Sequence, residues 1–337
     1  MATLKDIANA CNLNISTVSR ALADKSSVNP KTKELILSTA SKLNYVPNFS
    51  AKALAGGKTK TIGLLTTSVN NNYRASQINF IERELNERGY SLIIGIGDFN
   101  CEKELGCIET FCQRSVDGII MVGPFSNSFN DRLPSLKRKL TMPTVIIQAN
   151  ALCSFATNIT MDDDYGISLA ITHLKELGHS KIGYISETKF SNKRLLAFKR
   201  IMNELKIPIN EDYISIGNGP FEIGGYDAMC ALIEKNTLPT AIFSSCDNVA
   251  LGVMKALHDY KIKIPEEISI VGYDSIKESA YFTPSLTTVA QPAKELTMIA
   301  VPKLIKQIED DEGPEERIYV YPNLIERCST STPPTVI

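Results

Sequence analysis

Along the first 45 residues apolar side chains recur every three or four positions, which is helical spacing, whereas beyond residue 60 they gather into short runs. Leu4, Ile7 and Ala8 mark one face of a first helix, with Thr3 and Asp6 placed to form its N-cap. The stretch "CNLN" (11–14) breaks that pattern. Asn12 tolerates the left-handed backbone of a tight turn, and Asn14 is placed to cap the next helix. Val18 and Leu22 then share an inward face, which leaves Ile15, Ser16, Thr17, Ser19 and Arg20 near the start and outer face of that second helix. Asn29 and Pro30 announce a third helix, whose Leu35, Ile36, Ala40 and Leu43 are expected to close a small core. Pro47 stops it. Asn48 caps a further segment that ends at Gly56 and Gly57, barely two turns and too short to be stable alone in water.

From residue 61 the pattern changes to apolar, β-branched runs at 61–65, 91–96, 117–122, 144–149, 181–186, 240–245 and 268–274. Helical stretches such as "SQINFIERELNERGY" and "DYGISLAITHLKELGH" separate them. Continuous apolar strands alternating with helices predict parallel sheets covered on both faces. The echo between "ERELNERGYSLIIG" and "ITHLKELGHSKIGYIS" predicts two similar α/β lobes with a cleft between them. Ligands in such sheets bind beyond the carboxyl ends of the strands. Those ends carry Thr67 to Arg74, Val122 to Phe125, Gln148, Ser186 to Arg194, Ser245 to Asp247, Asp274 and Gln291, with Tyr73, Phe125 and Phe221 as flat apolar surfaces. Amides, carboxylates and a guanidinium beside an aromatic face suit a sugar.

The net charge of −1 hides an asymmetry: residues 1–60 hold nine Lys/Arg against three Asp/Glu, leaving 27 basic and 34 acidic residues in the remainder. A basic end on an acidic body points to a polyanion-binding module joined to something else. With no apolar run long enough to span a bilayer and no signal-peptide pattern at the start, the expected location is cytoplasmic. The eight cysteines form no CxxC and are expected to be reduced, small packing residues. No metal site is expected. His179 reads as structural, the acids of "MDDDYG" (161–166) suit a helix start, and no phosphate loop, nucleophile elbow or HExxH occurs, so no enzyme is expected. The tail "STPPTVI" (331–337) is expected to be disordered.

These features converge on a known family. "TVSR", the "VNPKTK" stretch, the "NYVPN" turn and "AKALAGG" stand at the spacing found in LacI/GalR bacterial transcription repressors, which the chain resembles throughout. The resemblance implies an all-α helix-turn-helix headpiece over 1–46, a hinge helix and linker over 47–58, and an α/β periplasmic-binding-protein-like core of two parallel-sheet lobes over 59–337. It implies lobe crossings near 158–163, 290 and 320. It also implies DNA contacts at Thr3, Ile15, Ser16, Thr17, Ser19, Arg20, Asn29, Asn48 and Ala51, with Leu54 as a minor-groove wedge. Effector contacts would fall at Tyr73, Ser76, Gln148, Arg194, Phe221, Cys246, Asp274 and Gln291.

Two departures stand out. Where the family turn is usually Ala-Gly-Val-Ser, this chain has Cys11-Asn12-Leu13-Asn14; where it usually has Asn-Asp, this chain has Cys246-Asp247. The implied protein is a repressor, a homodimer on pseudo-palindromic double-stranded operator DNA, controlled by a small carbohydrate and requiring no cofactor. A phosphocarrier protein is a further partner found in the family. A purine-type corepressor is the alternative, since Tyr73, Phe221 and "YFTPSLTT" match the purine-responsive branch; "SETKFSNKR", however, lacks its base-contacting residues. A sugar-binding transport receptor would need a signal peptide and no basic headpiece.

Overall fold

The computed structural model describes residues 2–22, 28–45, 58–148, 153–187, 192–310, 312–314 and 317–334. The expected hinge helix, with Asn48, Ala51 and Leu54, lies outside them. The chain divides into two units, Met1–Thr59 and Lys60–Ile337.

In the first unit, α1 (Leu4–Cys11) starts in a reciprocal cap. The Asp6 amide donates to Thr3 Oγ1 at 3.3 Å, and the Thr3 amide donates to Asp6 Oδ2 at 2.7 Å. It ends on Asn12 in the left-handed region (φ 52°). Then α2 (Ile15–Leu22) begins with the Asn14 carbonyl accepting from the amides of Thr17 and Val18. Asn29 Oδ1 accepts from the Lys31 amide at 3.0 Å to open α3 (Pro30–Lys42). Ile7, Ala8, Val18, Ala21, Ile36 and Ala40 form the core. Here the expectation for α3 is only half met. Leu35 and Leu43 are 50% and 38% exposed, because successive helical residues turn by about 100° and only the 36/40 face meets α1 and α2.

Among the described residues the second unit holds two six-stranded sheets. In the first, β1 (Thr61–Thr66), β2 (Ser91–Ile96), β3 (Gly118–Val122), β4 (Thr144–Ile147), β5 (Thr157–Met161) and β11 (Ile318–Val320) take the order β11-β5-β4-β3-β1-β2. In the second, β6 (Ile182–Ser186), β7 (Ile214–Ile216), β8 (Ala241–Ser244), β9 (Ser269–Asp274), β10 (Thr287–Ala290) and β12 (Asn323–Ile325) take the order β12-β10-β9-β8-β6-β7. Among the described residues every pairing is parallel except β10 with β12.

Both faces of the central strands of each sheet are buried. Along β3, Ile120 and Val122 pack with Leu296, Ala300 and Leu304 of the long helix α11 (Ala293–Glu309), while Ile119 and Met121 face Phe111 of α5 (Cys101–Gln113). In the second sheet Tyr184 and Tyr273 pack against α7 (Asp163–Glu176) and α8 (Asn192–Glu204), and Ile185 and Ile270 against α9 (Phe221–Glu234) and α10 (Asp247–Asp259). Burial on two faces is why these strands read as unbroken apolar runs. The chain passes between sheets at Asp162, at Gln291-Pro292 and at Tyr321-Pro322.

The expected disorder of the tail is corrected as far as the described residues reach. Ser329 Oγ donates to the Ile270 carbonyl at 2.6 Å, and the Ser331 amide donates to Ser269 Oγ at 3.0 Å. His179 joins the same seam: its ring nitrogens lie 2.8 Å from Thr240 Oγ1 and 2.8 Å from the Ser331 carbonyl. Burial lowers its pKa. These bonds fasten the chain end to the second sheet as an added layer of backbone, which composition alone did not show.

One glycine is dictated by a close approach. A Cβ on Gly272, in the middle of β9, would stand 2.2 Å from Asp247 Oδ1 and 2.8 Å from Leu286 Cδ2. Asp247 is fully buried and fixed by Thr288 Oγ1 at 2.6 Å and the Ile276 amide at 2.9 Å, so it cannot yield. Gly272→Ala is expected to cost about 2–3 kcal/mol in chemical denaturation, as overpacking does; an unchanged midpoint would refute the contact.

Candidate effector cleft and nucleic-acid interface

The outer face of α2 presents Ile15, 48% exposed, with Ser16, Ser19 and Arg20 also exposed and Thr17 half-buried. Val18 and Ala21 hold the opposite face in the core. Arg20 Nε donates to the Ser16 carbonyl at 3.1 Å, which lays the guanidinium along the helix toward its N-terminus. The Thr3 hydroxyl is taken up by capping α1, where it donates to Asp6 Oδ2, whereas Asn29 gives only its Oδ1 acceptor to the cap of α3. An apolar back with short hydroxyls, one exposed Ile and one Arg in front is a layout that meets base edges and phosphates.

The second site lies where the strand ends of the two sheets meet. Gln148 follows β4 with φ 57°, its amide bonded to the Ile159 carbonyl at 2.9 Å. Its Nε2 donates to Gln291 Oε1 at 2.8 Å, and Gln291 Nε2 in turn donates to Asp274 Oδ1. Asp274 closes β9 with φ 111°, in the left-handed region where a non-glycine residue stores strain. Arg194 Nη2 stands 3.6 Å from Asp274 Oδ1, its guanidinium lies 3.9 Å over the ring of Tyr273, and Nη1 donates to the Ser245 carbonyl. Gln148 from the first sheet, Gln291 at a crossing and Asp274 and Arg194 from the second therefore form one polar chain across the unit.

The charges in it are strongly perturbed. Burial pushes the Asp274 carboxyl up to about 6, against the pull of Arg194 and Gln291. Arg194 pays for burial as well, but the carboxylates of Asp274 and Asp163 hold its proton more firmly than usual. Burial, reinforced by Asp274, pushes Asp247 up to about 8. Cys246, next to it, is buried and has its thiol pushed well up, so it is a neutral thiol and not a nucleophile.

The other predicted residues are placed as follows. Phe221 opens α9 with φ 45° and is half-buried. Tyr73, in the first turn of α4 (Asn72–Asn86), is buried against Ile276 and Ala293. Ser76 lies on the exposed side of the same helix. Phe125 packs 5.1 Å from Phe129 in the first lobe's core, so it offers no flat face to the cleft. Asp162 caps α7 and Asp163 accepts from the Tyr273 hydroxyl at 2.8 Å, so the "MDDDYG" acids are structural.

The sequence did not single out Gln77, Ser244 or Asn248, and it gave Arg74 only as the end of a strand-end stretch. Arg74 is buried, donating to Gln77 Oε1 at 2.7 Å and to the Gly123 carbonyl at 2.5 Å. Among the described residues, Tyr73 Oη, Gln77 Nε2, Ser244 Oγ and Asn248 Oδ1 are buried without a partner. An unmade hydrogen bond costs on the order of 1–3 kcal/mol, so such atoms at strand ends and helix starts are poised for a polar ligand. All eight cysteines are free, and among the described residues no cluster of His, Cys, Asp and Glu suits a metal ion.

Comparison with known proteins fits both halves. The family "Bacterial regulatory proteins, lacI family" matches residues 3–48, and "Periplasmic binding protein-like domain" matches residues 171–330. The HTH-type transcriptional repressor PurR of Proteus mirabilis (strain HI4320) is 33% identical over 341 residues, spanning 100% of this chain and 99% of its own. PurR of Escherichia coli O1:K1 / APEC is 32% identical over 338 residues, 99% of this chain and 98% of its own. Among solved structures, the lac repressor dimer bound to operator and the anti-inducer ONPF superposes with a TM-score of 0.86 at 23% identity, over 98% of this chain and 99% of that one, a likeness of fold. A LacI family regulator from Enterococcus faecium with bound ribose gives 0.68 at 26% identity, over 81% of this chain and 99% of that one. The chain belongs to the lacI family of bacterial regulatory proteins: it is a DNA-binding transcription repressor that joins a helix-turn-helix unit to an effector-binding core.

Proposed function

We propose that this repressor binds a pseudo-palindromic operator as a two-fold homodimer in the cytoplasm, and that a small polyhydroxyl molecule, a sugar or sugar derivative, occupies the cleft between its sheets. Tyr73, Gln148, Arg194, Phe221, Cys246, Asp274 and Gln291 are its contacts, with Ser76 at the rim. The observation that carries this reading is the polar chain from Gln148 through Gln291 to Asp274 and Arg194. A ligand that replaces those bonds re-pairs groups from both sheets at once, so its occupancy is felt in how the lobes are held. Related structures of this fold contain ribose or cellobiose. A purine-type corepressor is the second reading, favoured because relatives matching along the full chain are repressors named PurR. Thermal-shift titration with panels of sugars and purine bases decides between them. Stabilisation by a sugar alone is the expected outcome; stabilisation by purines alone overturns it.

Ile15, Ser16 and Arg20 read major-groove bases, Thr17 and Ser19 contact phosphates, and Asn48, Ala51 and Leu54 contact DNA. Leu54→Ala is expected to weaken operator binding about a hundredfold in a mobility-shift assay while effector binding persists. Equal operator affinity of variant and wild type would refute the wedge.

A further inference from the structure

Glu187 follows the last residue of β6 and stands inside the cleft network, although no motif marks it. Its Oε2 accepts from Ser245 Oγ at 2.8 Å, while the carbonyl of the same serine accepts from Arg194. Its charge acts on both Asp274 and Cys246. Its Cβ lies close against α9: a Cβ on Gly224 would stand 3.0 Å from it.

Among the described residues, the two guanidiniums nearest the network already have protein partners. Arg194 uses Nη1 on the Ser245 carbonyl and turns Nη2 toward Asp274, and Arg74 spends Nη1 on Gln77 and Nη2 on the Gly123 carbonyl. Arg74 has both terminal nitrogens engaged, and Arg194 keeps one on the Ser245 carbonyl with its charge countered by Asp274 3.6 Å away, so neither offers an uncountered fork for the bidentate grip that holds a phosphate. Lys193, near the start of α8, is exposed. Glu187, Asp274 and Asp163 thus bring three carboxylates to a region where the buried Arg74 is bonded to protein acceptors and the half-buried Arg194 is paired with Asp274.

We infer that Glu187 is the specificity-determining residue of the effector cleft, excluding anionic effectors such as phosphate esters and admitting neutral polyols or bases. The inference rests on the effector reading above and narrows it. A second negative charge brought within several Å of Glu187 in a poorly hydrated cleft is repelled strongly enough to cost about tenfold or more in affinity.

The test uses the full-length protein and matched pairs that differ by one phosphate: ribose and ribose 5-phosphate, glucose and glucose 6-phosphate, inosine and inosine 5′-monophosphate. Calorimetric titration of wild type is expected to favour the neutral member at least about tenfold, and Glu187→Gln to shrink that ratio at least about fivefold. Glutamine keeps an acceptor for Ser245, and a thermal melt verifies folding. Glu222→Gln, an exposed acid in the first turn of α9, removes the same charge elsewhere and is expected to leave the ratio as in wild type. A measurement on wild type alone gives a second check. Raising salt from about 0.1 M to 1 M shortens the screening length from about 10 Å to 3 Å and is expected to improve phosphate-ester binding. A wild-type preference for the ester, or the same ratio in Glu187→Gln, overturns the inference while leaving the effector site standing. Failure of every compound to bind either protein overturns both.

Discussion

Arg194→Ala is expected to weaken effector binding about a hundredfold and to lower the stability of the larger unit by about 2–3 kcal/mol. Its side chain is 22% exposed and Asp274 only 4%, so truncation strands a buried carboxylate. It also takes a donor from the Ser245 carbonyl and a cation from the face of Tyr273. The pH dependence separates this from simple loss of packing. Asp274 has a folded pKa of about 6, above the ordinary 3.8, so the folded protein holds its proton more firmly than the unfolded chain. Stability from that proton is present in acid and is lost as pH rises from about 4 through 6. Without Arg194 the folded value moves higher still, so the deficit of the variant should be large at pH 8 and shrink toward pH 5. Urea denaturation of both proteins across that range checks the prediction. A deficit independent of pH would mean that Arg194 acts only through packing.

Val18→Asp is expected to abolish operator binding, by at least a hundredfold, while effector titrations stay as in wild type. Val18 is fully buried in a core of six side chains shared by α1, α2 and α3. Placing a carboxylate there without a partner costs more than about 3 kcal/mol, a large share of what so small a unit can supply. The larger unit has its own cores around each sheet and is expected to keep its melting transition. Val18→Ile, which keeps the site apolar, serves as the comparison. Operator affinity of Val18→Asp within threefold of wild type would show that α2 does not need this core to read DNA.

The strands that sequence periodicity located are mostly those buried on both faces, such as β1, β3, β6 and β9, where unbroken Ile, Val and Leu leave little ambiguity, although the half-exposed β2 was found by the same kind of run. It passed over β5, "TNITM", and β10, "TTVA", because threonines and an asparagine stand among their buried residues. Those polar groups are tolerated inside only because distant partners meet them. Thr157 Oγ1 accepts from Gln307 Nε2 at 2.5 Å, Asn158 Nδ2 donates to the Cys153 carbonyl at 2.8 Å, and Thr288 Oγ1 donates to Asp247. Partners up to 150 residues away leave no trace in a local pattern.

By itself, the sequence determined what is local: the capped helices and left-handed turn of the headpiece, the basic charge on it, the alternation of strand and helix, and a motif set that carries the family. Helix caps, turns and periodicity act over a few residues, so adjacent letters suffice to write them. Only the tertiary structure decided which polar groups face one another. It turned Leu35 and Leu43 outward, pinned Ser331 to the second sheet, stacked Arg194 on Tyr273 and set Glu187 beside Ser245. Such pairings depend on distances between strand ends far apart in the chain, and the energy of a buried charge depends on those distances more than on the identity of its neighbours in sequence.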